Sequence, residues 1–122
     1  MKRISIADHV NHSFYRQTFW PNLDIFVSQT GDFIITAELS ELRSENLDLT
    51  VERNKITIAG DRRDPDSEES GSVVQKEIPR GTFKRVVDVP ADFDLQAAKA
   101  AYLNGVLRIT VPAKAPGATS PQ

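Results

Sequence analysis

The sequence predicts an all-β protein, an antiparallel sandwich, on three observations. From Pro21 onward apolar and polar residues alternate with period two. Turn signals recur about every 8–12 residues and divide the chain into about seven or eight short strands. At 122 residues the chain is one domain in size, and such a chain buries roughly two-thirds of its unfolded surface. The organisation reads as an N-terminal arm over 1–20, a sandwich over 21–112 and a mobile, Pro/Ala/Gly/Ser-like tail over 113–122.

The arm comes first. Ile6, Val10 and Phe14 recur at i, i+4 and i+8, the stripe of a short amphipathic helix. Four of the nine aromatic residues, Phe14, Tyr15, Phe19 and Trp20, fall within the first 20 positions. Two readings stand: the arm packs on its own domain, or it is an apolar surface for partners.

The strands follow in order. Leu23, Ile25 and Val27 alternate with polar residues, and Gln29-Thr30-Gly31-Asp32 turns the chain into Phe33, Ile35 and Ala37. Ser40 to Glu45 is at most a helical turn. Leu47-Asp48-Leu49-Thr50-Val51 is a half-buried strand, and Arg53-Asn54 leads into Ile56-Thr57-Ile58, with Asn54 tolerant of the left-handed conformation. Phe83 to Val89 is a strand closed by Pro90. Lys99 to Leu103 and Val106 to Val111 flank Asn104-Gly105, a strong hairpin signal. Between the strands lies the charged stretch Asp61 to Ser72, followed by Val73-Val74-Gln75-Lys76-Glu77. A long loop ending in a strand-like piece reads as an arm that pairs outside its own sheets.

Composition narrows the function. With 39% hydrophobic and 26% charged residues the chain has ordinary globular composition. A net charge of −2 provides no surplus positive field for phosphates, and Arg62-Arg63 and Lys84-Arg85 are offset by nearby acids, so they read as solvated or salt-bridged surface. No cysteine is present, which excludes disulfides, thiolate metal sites and a cysteine nucleophile. His9 and His12 with Asp8 make too few metal ligands, and no glycine-rich phosphate loop occurs. Lys2 and Arg3 are followed by no apolar signal core, and no run is long enough to span a membrane. The expectation is a cytoplasmic protein without cofactor, metal, nucleic-acid or membrane partner, and not an enzyme. Strands, edges and apolar surface suit it to binding polypeptides.

Five segments in register resemble the small heat-shock proteins, whose core is the alpha-crystallin domain. Ala100 to Pro112, with Asn104-Gly105-Val106-Leu107 at its centre, is similar to the family's closing signature. Gly81-Thr82-Phe83-Lys84-Arg85 resembles its Gly-x-Phe-x-Arg strand, and Leu23 to Phe26, Thr36 to Leu39 and Asn54 to Gly60 match earlier strands. The resemblance implies an immunoglobulin-like sandwich and an ATP-independent holdase for partly unfolded proteins under stress. A co-chaperone of the CS-domain kind, binding folded partners, is the alternative. Domains of that kind usually lack the long loop and the Gly-x-Phe-x-Arg strand.

The resemblance also implies sites. A hydrophobic groove would draw on Leu47, Leu49 and Val51 from one strand and Ala98, Ala101 and Leu103 from another, although alternation sends part of each set into the core. Phe14, Tyr15, Phe19 and Trp20 would contact clients. Val73, Val74, Gln75, Lys76 and Glu77 would swap into a second subunit, with Arg85 supporting that homodimer by ion pairs. The family's Ile-x-Ile anchor does not follow Pro112, and Ser40-Glu41 stands where Pro-Gly is common. Ile4-Ser5-Ile6 has the anchor's chemistry and is a candidate groove ligand through Ile4 and Ile6.

Overall fold

The computed structural model describes residues 2–4, 20–63 and 71–115. Among them are eight strands: β1 (Lys2–Ile4), β2 (Leu23–Val27), β3 (Phe33–Glu38), β4 (Leu47–Glu52), β5 (Lys55–Arg62), β6 (Gly81–Asp88), β7 (Lys99–Leu103) and β8 (Val106–Val111). One sheet has the order β1-β4-β5-β6 and the other β2-β3-β8-β7, every pairing antiparallel. The predicted sandwich is therefore the observed fold. The amphipathic stripe expected over Ile6, Val10 and Phe14 lies outside the described residues.

Alternation places the core. Leu47, Leu49 and Val51 of β4, Ile56 and Ile58 of β5, and Phe83 and Val87 of β6 are buried with Phe33, Ile35 and Ala37 of β3 and Leu107, Ile109 and Val111 of β8. Burying such a side chain is worth roughly 1.5–3 kcal/mol, so this apolar layer drives folding. Gly60 belongs to the same inward row. It pairs with Leu47 and Phe83, and a Cβ there would stand 2.5 Å from the Asn46 carbonyl and 2.7 Å from Phe83 Cζ.

Three local expectations change. At the β4–β5 hairpin the left-handed residue is Arg53, φ 58°, not Asn54. Ile34 is buried although it faces away from Ile35, because β3 is central and Ile34 pairs with Phe26 of β2. Beside that outer pair, Arg108 stands 5.9 Å from the centre of the Phe26 ring. The helical turn after β3 is a short 3₁₀ segment, Ser44–Asn46. The β7–β8 hairpin is as expected: Asn104 and Gly105 both have positive φ, 53° and 80°, the geometry of a turn matched to strand twist.

Candidate functional site

Three regions are placed by this frame: an open edge with the loop that leads away from the sheets, the opposite flank, and a buried arginine between two loops.

β2 is one edge of its sheet. Among the described residues it pairs only with β3, and Ile25, Phe26 and Val27 are exposed. The described part of the long loop, 71–80, forms no strand, and its apolar residues Val73, Val74 and Ile78 are exposed, Val74 at 98%. Gln75 donates from its amide to Glu77 within the loop. An edge strand with apolar side chains and unpaired backbone groups accepts another strand readily.

On the opposite flank, β1 lies along β4, with Lys2, Arg3 and Ile4 opposite Val51, Thr50 and Leu49. Here the groove expected from sequence divides. Leu47, Leu49 and Val51 are core residues, each 2% exposed or less, and Ala98 is buried too. On β7 the inward residues are Ala100 and Tyr102, which pack against the core, whereas Ala101 and Leu103 have the other parity and are exposed. The division on β7 has a simple cause: Ala100 pairs with Ile109 and Tyr102 with Leu107, both core positions. Of the six residues, Ala101 and Leu103 are thus the ones open to solvent. The Tyr102 hydroxyl donates to the Leu39 carbonyl. Burial raises the Tyr102 pKa, opposed by a backbone hydrogen bond with Leu42 and by the charge of Arg62.

Arg62 is the residue that sequence reasoning misplaced. It is 5% exposed rather than solvated surface. Its Nε and Nη2 both donate to the Pro79 carbonyl, the former at 3.1 Å, and Nη1 donates to the Ser40 carbonyl at 3.0 Å. Its Cζ lies 4.1 Å from the centre of the Trp20 ring, which meets Phe83 edge-on at 5.2 Å. Burial, then the nearby Arg80, lower the Arg62 pKa, with Glu41 and Tyr102 acting in the opposite sense. Arg80 in turn pairs with Glu41 at 3.3 Å. The signal was present in the period: Ile56, Ile58, Gly60 and Arg62 form one inward row.

Arg85 is half-buried on β6 and its Nη1 donates to the Pro21 carbonyl at 2.7 Å. Trp20 and Pro21 are thus held from two sides by arginines. Phe14, Tyr15, Phe19 and Ile6 lie outside the described residues. Among the described residues, no group of three or more His, Cys, Asp or Glu could hold a metal ion, and no helix is long and apolar enough to cross a membrane.

Residues 25–122 match the Hsp20/alpha crystallin family. The chain belongs to that family. Relatives of this Hsp20/alpha crystallin protein include 18 kDa antigen 2 of Mycobacterium avium, 37% identical over 67% of this chain and 59% of the relative. Small heat shock protein C2 of Rickettsia felis is 28% identical over 81% of this chain and 64% of the relative. The chain therefore spans about three-fifths of the length of these relatives. Among solved structures, a small heat-shock protein from Xylella fastidiosa superposes with a TM-score of 0.72 at 25% identity, over 85% of this chain and 93% of that one. Heat shock protein 16.0 from Schizosaccharomyces pombe gives 0.71 at 25% identity, over 86% and 96%. The two-sheet arrangement of this Hsp20 chain is thus the arrangement of small heat-shock proteins.

Proposed function

We propose that this protein is a cytoplasmic ATP-independent holdase, which binds partly unfolded proteins and keeps them from aggregating. Unfolding clients expose apolar surface and unpaired strand edges. The observation that carries the reading is the pairing of opportunities on one chain: β2 is an edge strand with exposed apolar side chains, and the loop presents Val73, Val74 and Ile78 to solvent. Strand addition needs backbone hydrogen bonds and little side-chain specificity, which suits both a second copy and a variety of clients.

The assembly unit in this reading is a homodimer in which Val73, Val74, Gln75, Lys76 and Glu77 of each copy add to β2 of the other. Arg85 supports the interface from β6, beside Pro21. Phe14, Tyr15 and Phe19 contact clients, with Trp20 at the root of that arm, and Ile4 and Ile6 dock on the β4 flank. The observed β1–β4 pairing favours the role given to Ile4, since residues 2–4 already add to that edge.

The test is the turbidity of a heat-labile enzyme warmed with and without this protein, in the absence of ATP. Suppression at near-equal subunit ratios is the expected result. Absence of suppression at those ratios would overturn the holdase reading.

A further inference from the structure

The long loop leaves the sheet after Arg62 and returns at Gly81, the last pair of the β5–β6 ladder. Arg62 closes this mouth with its own side chain, through the two bonds to Pro79. The same guanidinium reaches Ser40 on the loop after β3 and stacks on Trp20, where the N-terminal arm meets the sandwich. A planar guanidinium can serve carbonyls in its plane and an aromatic ring on its face at once, and a lysine ammonium cannot.

We propose that Arg62 is a positioning residue that couples the N-terminal arm to the long loop, so that lifting Trp20 from the guanidinium loosens the loop's root. The coupling is reciprocal by thermodynamic necessity: whatever holds the loop in place also holds Trp20 down. An arm drawn away by a client would then weaken the placement of residues 73–77. That consequence rests on the strand-exchange reading above; the coupling itself does not.

Trp20 is the chain's one tryptophan, so its fluorescence reports on the arm alone. In the full chain, Arg62→Lys is expected to shift Trp20 emission to the red and to raise its quenching by acrylamide. From the other side, Trp20→Leu should speed amide hydrogen exchange across residues 77–83 by about ten-fold, the scale of one lost contact of this strength. Exchange at the β4–β5 hairpin, residues 51–56, should stay unchanged, and Trp20→Phe should restore most of the protection.

Two results overturn the coupling: unchanged exchange at 77–83 in Trp20→Leu, or an equal rise at 77–83 and 51–56, which marks plain destabilisation. Sedimentation across a dilution series separates the two readings. A wild-type chain that stays monomeric sinks strand exchange, while the exchange data still decide the joint.

Discussion

The Tyr102 hydroxyl donates a hydrogen bond to the Leu39 carbonyl, which ties the edge strand β7 to the loop leaving β3. The tie holds only while the phenol keeps its proton. Burial makes the charged phenolate costly, so the folded-state pKa lies above that of the unfolded chain.

For an acid with a raised folded pKa, the folded state keeps a proton that the unfolded chain has lost. The contribution is fully present below the unfolded pKa of about 10 and falls away as pH rises through the folded value. Urea midpoints of the wild type should therefore drop between neutral pH and values above about 10 more steeply than those of Tyr102→Phe. At neutral pH that variant should be less stable by about 0.5–1.5 kcal/mol, one hydrogen bond. Equal alkaline slopes would remove Tyr102 as the cause.

The division of the groove residues makes a second prediction. Leu49→Ala removes a side chain that is 1% exposed and should cost about 2–5 kcal/mol in urea unfolding. Leu103 is 71% exposed, and Leu103→Ala should stay within about 0.5 kcal/mol. Comparable losses would mean that Leu103 is packed after all.

Gly60 makes a third. Gly60→Ala puts a methyl against the Asn46 carbonyl and the Phe83 ring, and overpacking of this kind costs typically about 1–3 kcal/mol. Phe83→Leu in the same chain should relieve only part of the clash, since the Asn46 carbonyl remains. A neutral Gly60→Ala measured by thermal melting would show that the strand shifts freely.

The strands were legible because a half-buried sheet writes its geometry at period two, and Asn104-Gly105 and Gly31 mark turns with few alternatives. Parity within a short strand was less legible. Lys99-Ala100-Ala101-Tyr102-Leu103 has apolar residues on both faces, so the pattern alone does not say that Tyr102 points inward and Leu103 outward. Arg62 was hidden for a different reason. Its partners are the main-chain carbonyls of Ser40 and Pro79, and carbonyl positions leave no trace in residue type. Its inward place in the β5 row was the available clue, and the neighbouring charges of Asp61 and Arg63 masked it.

The β1–β4 pairing makes a fourth prediction. Residues 2–4 cover backbone groups that β4 would otherwise present at an edge. Deleting residues 1–4 should leave the sandwich folded by far-ultraviolet circular dichroism and should increase self-association in light scattering. A decrease in size would instead assign this segment to contacts between copies.

The last prediction concerns strand addition itself. Val74 is fully open to solvent in the single chain, so a substitution there removes no packing from the sandwich. Proline lacks the amide proton that a ladder requires and is tolerated on strands only where no bond is made. Val74→Pro should therefore leave the unfolding midpoint of the isolated subunit unchanged and raise the dimer dissociation constant by at least about ten-fold, or ~1.4 kcal/mol. Val74→Thr, which keeps both the amide and a β-branched side chain, should dimerise nearly as well as the wild type. Sedimentation equilibrium across a concentration series reads both constants. If Val74→Pro dimerises like the wild type, the two copies do not exchange this segment, and the exposed edge of β2 is left for another strand.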